Sequence, residues 1–136
     1  MDQKVKELFQ KKNLVFIATI NSDGSPQLTP VWGNCNDDHI LINTAEGRLK
    51  HKNIQKDPRV AVSVTDHDNP LNMTTIRGRV VQIIPDYDYS HANELTKQYM
   101  GINEYPYKRE NEKRIIFKIK PEKIFMMPDI VEFSHL

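Results

Sequence analysis

Residues 43–60, NTAEGRLKHKNIQKDPRV, form the segment that decides the fold of this chain. The segment starts at the end of an apolar run typical of a strand, turns at Gly47 and then changes to a helical pattern. Asp57 and Pro58 end that helix, because the residue before a proline is disfavoured in the helical region. A strand, a tight turn and a helix are therefore predicted in direct succession.

The start of this predicted helix is rich in cations. Arg48 and Lys52 stand four residues apart, which places them on one helix face, and Lys50 lies beside them. Unpaired N–H groups at a helix N-terminus and fixed positive side chains both attract an anion. This pattern predicts a pocket for the phosphate of a cofactor, and the alternative is an ordinary solvated helix face.

Composition limits the class of protein. The chain has 136 residues, of which 38% are hydrophobic and 27% charged, which is typical of one soluble globular domain over residues 1–136. The net charge of +1 gives no global attraction to nucleic acid or to an anionic membrane. Apolar runs fall short of the ~18 residues that span a bilayer, and the N-terminus lacks a signal-peptide pattern. A single cysteine, Cys35, excludes an internal disulfide and a zinc cage. We therefore expect a cytoplasmic protein.

Strand-like patterns recur along the rest of the chain. Predicted strands cover residues 14–20, 26–32, 39–43, 59–65, 72–84, 113–120 and 123–127, and predicted helices cover residues 3–12, 47–56 and 86–100. Helices are too few for a parallel doubly wound sheet, which needs one after nearly every strand. The pattern predicts a mainly β (α+β) domain with six to seven antiparallel strands and two or three appended helices.

Prolines and glycines refine this prediction locally. Pro26 and Pro30 indicate an edge strand, or one that bends open as at a ligand site. Gly78, inside a long strand, indicates a bulge or the close approach of another group to the backbone. Gly101 is expected to end the third helix, and Pro121 to break the sixth strand.

Several motifs together resemble one known family. GSPQLTPVW at residues 24–32, NT at 43–44, GRLKHKNI at 47–54 and KDPRVA at 56–61 resemble the pyridoxamine 5'-phosphate oxidase-like flavin proteins. The similarity continues through DNP at 68–70, IRGRV at 76–80 and YP at 105–106, and covers residues 8–127. It is greatest to the branch whose members use FMN or the deazaflavin coenzyme F-420.

The resemblance implies a fold, an assembly and a binding site. The fold is a split β-barrel with antiparallel strands in Greek-key order, and the assembly is a homodimer with the cofactors at the subunit interface. The phosphate of FMN, or alternatively of coenzyme F-420, is assigned to Arg48 and Lys50. The other implied cofactor-binding residues are Thr29, Pro30, Val31 and Trp32 along the ring, Thr44 near the phosphate or ribityl chain, Asn43 without a specified contact, Asn53 on the same helix face as Arg48 and Lys50, and Gly78 and Arg79 from the dimer surface.

The implied activity is that of an oxidoreductase. The cofactor would exchange a hydride with a small substrate. The protein would bind and orient the two molecules and exclude water from the site, so no catalytic residue is assigned. Activity as a true pyridoxamine phosphate oxidase is not expected, because the chain lacks that enzyme's C-terminal basic and aromatic segment. One alternative is a non-enzymatic flavin or haem binder, acting as a carrier or redox sensor. A nucleic-acid-binding barrel is disfavoured by the near-neutral charge.

The remaining chemistry-bearing residues give weaker signals. The histidines show no metal-ligand spacing, so surface or helix-face positions are expected of His39, His51, His67 and His91, and no metal site is predicted. Cys35 is expected to be a buried or idle thiol. The charges of Lys113, Arg114, Lys118 and Lys120 are expected on a solvated strand face.

Overall fold

The computed structural model describes residues 1–126, so the last residue of the final predicted strand and the tail after it lie outside the described part. These residues form three helices and seven strands. In chain order they are α1 Gln3–Gln10, β1 Val15–Ile20, β2 Pro26–Val31, β3 Gly33–Cys35, β4 Ile40–Ala45, α2 Leu49–Lys56, β5 Arg59–Thr65, β6 Met73–Pro85, α3 Ser90–Met100 and β7 Arg114–Met126.

All seven strands form one antiparallel sheet with the order β2-β1-β5-β6-β7-β4-β3. The two edge strands, β2 and β3, follow one another in the chain and are separated by Trp32 alone. The backbone N–H of Asn43 on β4 donates to the carbonyl oxygen of Trp32 at 3.5 Å. The sheet therefore curls until its two edges meet at this residue, which confirms the predicted mainly β split barrel.

One side of the curled sheet holds the core. Helix α1 contributes Val5, Leu8 and Phe9, each at most 1% exposed, and Asp2 caps the helix by accepting a hydrogen bond from the N–H of Lys4. Alternate residues of the central strands complete this core, as the period of two in strands such as β5 requires. Within the described residues, no helix is long and apolar enough to cross a bilayer.

The junction of β6 and β7 departs from the predicted strands. The sequence pattern breaks the sixth strand at Pro121, but β7 runs through it without interruption. Pro121 pairs with Gly78 where the register of β6 and β7 shifts, and a Cβ at Gly78 would collide with the carbonyl oxygen of Lys120. The bulge and close approach predicted at Gly78 are confirmed, and the bulge removes the need for a regular N–H partner at Pro121.

Helix α3 begins four residues later than predicted. Asp86 accepts hydrogen bonds from the N–H groups of His91 and Ala92 at 2.9 and 3.0 Å, so its carboxylate caps the helix instead of joining it. Tyr89, which falls inside the predicted helix of residues 86–100, instead precedes the helix with a left-handed φ of 64°. Gly101 ends the helix as predicted, with a φ of 75° and its N–H on the carbonyl oxygen of Lys97.

Candidate anion-binding groove

A groove of about 320 Å³ opens where β2, β4 and the start of α2 come together, and we call it the groove. Strand β7, helix α3 and the loop before β7 supply its remaining walls. Its lining residues are Leu14, Pro30, Val31, Trp32, Asn43, Thr44, Arg48, Lys50, Ala92, Leu95, Tyr105, Tyr107 and Arg114.

The groove brings together most of the residues that the sequence predicted as cofactor-binding. Those lining it are Pro30, Val31, Trp32, Asn43, Thr44, Arg48 and Lys50. Those outside its lining are Thr29, Asn53, Gly78 and Arg79. The edge position of β2 explains why Pro30 and Val31 are available to line a groove, because this strand has no neighbour on its outer side within the described residues.

One end of the groove is cationic. Arg48, Lys50 and Arg114 line it, and Glu112 is their carboxylate neighbour, 3.4 Å from the Nη2 of Arg48 and 3.1 Å from the Nη1 of Arg114. Lys50 is 7% exposed, and no carboxylate among residues 1–126 lies within 4.0 Å of its Nζ. Three cations and one carboxylate leave this end with a charge of about +2 when all are ionised.

The surroundings of Lys50 disfavour its charged form. Its pKa lies below the ordinary value, first because burial disfavours the ammonium and then because Arg48 and Arg114 repel it. An uncompensated buried charge is costly, and an anion beside it removes much of that cost. The arrangement therefore has the electrostatics of a site made for an anion.

The start of α2 adds to the same attraction. Arg48 is the N-cap residue, its side chain makes no capping hydrogen bond, and the first turn carries no acidic residue. Cations at the positive end of a helix oppose its dipole, whereas a bound anion satisfies both the dipole and the free N–H groups. The sequence prediction of a cationic helix start is confirmed at this position.

Thr44 has a buried hydroxyl that lacks a hydrogen-bond partner among the described residues. The residue is 1% exposed, and the unpartnered atom is its Oγ1. A buried hydroxyl without a partner is uncommon and costs free energy unless a ligand or water supplies the bond. Thr44 lines the groove beside the cations, so a phosphate or polyhydroxy chain fits the residues present.

Arg114 differs from its predicted surroundings, whereas His91 lies on helix α3, one of the two positions expected of it, with its side chain buried. Arg114 is 7% exposed, and its Nε donates to Oδ1 of Asn43 at 2.9 Å, so the prediction of a solvated strand face is wrong at this residue. His91 is 6% exposed, and its ring nitrogens contact Asn43 and Asn34 at 2.9 and 2.8 Å. Burial lowers the pKa of His91 to about 4, outweighing the opposite effect of Asp86.

Three aromatic side chains, Trp32, Tyr105 and Tyr107, also line the groove. Trp32 stacks on Tyr99 with centroids 5.1 Å apart and planes 3° apart, and the Tyr99 hydroxyl donates to the carbonyl oxygen of Asn13 at 2.6 Å. Tyr105 and Tyr107 pack edge to face in the loop before β7, and the guanidinium of Arg114 lies over Tyr105 at 5.3 Å. These contacts hold flat surfaces near the cationic end.

The side-chain contacts of Asn53 are with other protein residues outside the groove. It is 5% exposed, and its Nδ2 donates to Thr19 Oγ1 at 3.0 Å and to Asn21 Oδ1 at 2.8 Å. Both amide hydrogens are thereby used in attaching α2 to β1 and the turn after it. Thr29 has a buried Oγ1 without a partner among residues 1–126, but it stands outside the groove lining.

Gly78 and Arg79 belong to another surface. Gly78 lines a second groove of about 540 Å³ on β1, β5 and β6, and the Nε of Arg79 lies 3.3 Å from the Oε2 of Glu122 in that second groove. Within one protomer they take no part in the cationic groove. Among the described residues there is no group of three or more His, Cys, Asp or Glu side chains placed to hold a metal ion.

Sequence reasoning missed several lining residues, chiefly Arg114, Tyr105 and Tyr107. Arg114 alternates with the buried Ile115, which places it on the opposite strand face, but its partner Ala45 on β4 cannot be read from the sequence. Tyr105 carried part of the family resemblance without a role being assigned to it. His51 is also buried, at 8% exposed, and its Nδ1 accepts the N–H of Gly47 at 2.9 Å.

The chain is similar to a known protein family and to several solved structures. Residues 1–128 match the family described as pyridoxamine 5'-phosphate oxidase. A solved structure named F420 reductase has 28% identity and a TM-score of 0.80, covering 88% of this chain and 94% of that one. No curated protein matches the chain significantly.

More distant structures share the fold alone. HupZ of Group A Streptococcus has 20% identity and a TM-score of 0.65, covering 93% of this chain and 94% of its own. General Stress Protein 26 of Bacillus anthracis str. Sterne has 20% identity and a TM-score of 0.63, covering 90% of each chain.

Proposed function

The chain belongs to the pyridoxamine 5'-phosphate oxidase family, and on that premise we propose that it is an oxidoreductase that binds FMN in the groove, with coenzyme F-420 as the alternative. The cofactor phosphate lies against Arg48 and Lys50, and the flat ring lies along Pro30, Val31 and Trp32. The F420 reductase similarity supports the cofactor class, because that protein is 28% identical over nearly the whole chain.

The observation that carries the proposal is the unbalanced charge at one end of the groove. Lys50 is buried without a carboxylate partner among residues 1–126, and Thr44, which lines the same groove, has a hydroxyl without a hydrogen bond there. A phosphate monoester carries about two negative charges at neutral pH and offers several acceptor oxygens. It therefore matches the charge of about +2 and accepts from the hydroxyl and the ammonium together.

The chain's own residues act in binding and orientation. FMN or coenzyme F-420 supplies the hydride-transfer chemistry when bound. Trp32, which lines the groove, is held by its stacking on Tyr99 and offers a flat apolar surface to the cofactor ring. Pro26 and Pro30 of β2 have no N–H group to donate along this edge. His91 stays neutral and bonded behind Asn43, so it is not placed to exchange protons with a substrate.

We extend the proposal to a homodimer in which a partner covers the second groove. Support comes from the apolar residues of that groove, Ala18, Ile20, Val60 and Ala61, and from its size of about 540 Å³. In such an assembly Gly78 and Arg79 are the residues of one protomer that approach the cofactor of the other. A small molecule is the substrate class, since the groove of about 320 Å³ must also accept the cofactor ring.

Cofactor identification tests the proposal. We expect the purified protein to bind FMN or coenzyme F-420, as shown by its absorbance spectrum and by mass spectrometry of the released cofactor. Arg48→Ala and Lys50→Ala should each weaken binding by about 10- to 100-fold, because each removes a charge-assisted contact. Lys56→Ala, at an exposed position in the last turn of the same helix, is the matched control.

The outcomes separate three functions. Binding followed by reduction and turnover with a donor supports the oxidoreductase. Binding without reduction by NAD(P)H or turnover of any donor supports a carrier or sensor instead. A parent protein that binds neither cofactor, or Arg48→Ala and Lys50→Ala variants that bind as tightly as the parent, contradicts the proposed site.

A further inference from the structure

Arg114 is a cation of the groove to which neither the sequence motifs nor the resemblance gives a role. A guanidinium carries five N–H donors. The Nε of Arg114 donates to Asn43 Oδ1 at 2.9 Å, and Nη1 donates to Glu112 Oε1 at 3.1 Å. Among residues 1–126 no acceptor is bonded to Nη2, and the side chain lines the groove that Thr44 and Tyr105 also line. Arg114 therefore keeps donors for a ligand.

The amide of Asn43 has one possible orientation in this arrangement. Asp86 Oδ2 lies 2.9 Å from the Nδ2 of Asn43, and a carboxylate only accepts hydrogen bonds. The NH₂ group must therefore face Asp86, which turns Oδ1 toward the Nε of Arg114. The guanidinium is held by an acceptor that cannot be exchanged for a donor without breaking the bond to Asp86.

His91 completes the same buried arrangement. The Nδ2 of Asn43 also donates to the Nδ1 of His91 at 2.9 Å, so Nδ1 must be the unprotonated nitrogen. The proton is then on Nε2, which donates to Asn34 Oδ1 at 2.8 Å. The neutral ring thus fixes both the amide of Asn43 and the edge strand β3 that carries Asn34.

We propose that Arg114 is a third ligand for the phosphate bound in the groove, and that Asn43 and His91 are positioning residues that hold its guanidinium there. The inference deepens the proposed function and rests on it for the identity of the ligand. Its physical basis is independent of the ring, because Arg48, Lys50 and Arg114 line one groove and each attracts a phosphate bound there.

A comparison of FMN with riboflavin tests the assignment of Arg114. Riboflavin has the same ring and ribityl chain without the phosphate, so the ratio of the two dissociation constants measures the phosphate contacts alone. Arg114→Gln should lower the preference for FMN by about 10- to 100-fold. Lys113→Gln removes the same charge from the neighbouring exposed residue, whose Nζ lies over Tyr87, and should leave the ratio unchanged.

A ratio in Arg114→Gln equal to that of the parent overturns the assignment. If this variant does not fold, Arg114→Lys replaces it, because lysine keeps the charge and loses the forked donors. We expect a several-fold lower ratio in Arg114→Lys, and a parent-like ratio overturns the proposal in the same way.

The positioning role is tested at His91. His91→Leu removes the acceptor that faces Asn43 and should lower the ratio several-fold while riboflavin binds as in the parent. His91→Asn offers a carbonyl oxygen near the position of Nδ1 and should restore the ratio. Equal ratios in His91→Leu and the parent overturn the positioning role.

Inorganic phosphate separates this inference from the proposed function. Failure of the parent to bind FMN or coenzyme F-420 contradicts the proposed function alone. A melting temperature that rises with phosphate in the parent but not in Arg114→Gln still supports the third ligand. A parent that responds neither to phosphate nor to either cofactor overturns both.

Discussion

Two polar clusters, each with buried members, flank helix α2, and they differ in whether their hydrogen-bonding groups have protein partners. The closed cluster consists of Asn53, Thr19 and Asn21, in which both amide hydrogens of Asn53 have protein acceptors. The open cluster consists of Arg48, Lys50, Thr44 and Arg114, in which an ammonium and a hydroxyl have no protein partner among residues 1–126. Each cluster has residues that are at most 7% exposed, Asn53 and Thr19 in the closed one and Lys50, Thr44 and Arg114 in the open one. Among these buried residues, the missing hydrogen-bond partners rather than the degree of burial distinguish a ligand site from a structural one.

The sequence could not make this distinction. Asn53 lies three residues from Lys50 on the same helix and was predicted as cofactor-binding with it. Its partners, Thr19 and Asn21, lie more than thirty positions earlier in the chain, as the separations of 34 and 32 show. Long-range contacts of this kind are set by the sheet order, which local patterns do not specify.

The largest effect that we expect concerns the histidine behind the open cluster. The pKa of His91 is about 4 in the folded protein and 6.5 ordinarily. Below pH 6.5 the unfolded chain takes up a proton that the folded protein refuses, so the free energy of unfolding falls as the pH is lowered. Over the interval down to pH 4 the loss attributable to His91 is about 3 kcal/mol.

Urea unfolding of the parent and of His91→Asn across this pH range measures the effect. The variant has no imidazole at this position and should lose less stability between about pH 6.5 and about pH 4. Parallel stability curves for the two proteins would show that His91 is protonated in the folded state as readily as in the unfolded chain.

A smaller effect is expected in the closed cluster. Asn53→Ala removes two buried hydrogen bonds and should lower the free energy of unfolding by about 2 kcal/mol. FMN affinity of the folded variant should stay at the parent value, since Asn53 does not line the groove. Gln55→Ala, at an exposed position of the same helix, is the control and should change neither quantity.

Chemical denaturation of Asn53→Ala measures its free energy of unfolding, and FMN titration measures its affinity for FMN. Loss of FMN affinity with little loss of stability would restore Asn53 to the binding site that the sequence predicted. It would also remove the distinction between the two clusters.

The smallest change in stability is expected from substituting two threonines, Thr19 and Thr44, which are each 1% exposed. Thr19 accepts from Asn53 and donates to Gln27, so Thr19→Val should destabilise the protein by about 1 kcal/mol. Thr44 has no partner, so Thr44→Val should be neutral or slightly stabilising in the absence of a ligand. Its cost should appear in a several-fold weaker affinity for FMN.

Thermal unfolding with and without FMN distinguishes the two variants. If Thr44→Val destabilises the ligand-free protein as much as Thr19→Val does, the Thr44 hydroxyl is bonded in solution. It would then no longer support a ligand in the groove.

Much of the fold followed from local signals. The alternation of Val60, Val62 and Val64 predicted β5, and the two prolines of β2 predicted an edge strand. The cationic start of α2 predicted Arg48 and Lys50 together in the groove. These features depend on neighbours within a few residues, for which sequence periodicity is informative.

The rest depended on contacts across the sheet. The strand pattern predicts a solvated face for Arg114 because it gives only the side of the strand, whereas β4 and the loop before β7 cover that side. The residue type of Pro121 predicts a strand break because the sequence does not reveal its partner, Gly78. In both cases the strand pairing, rather than the residue type, determined the environment.

The short link at Trp32 has a consequence for solubility during and after folding. It joins the two strands whose outer edges have no neighbour in the sheet, and such edges are templates for intermolecular strand pairing. One of them contains Pro26 and Pro30, which cannot donate backbone hydrogen bonds, and the other is three residues long. The features that leave room for a ligand beside β2 thus also protect the chain against edge-to-edge aggregation.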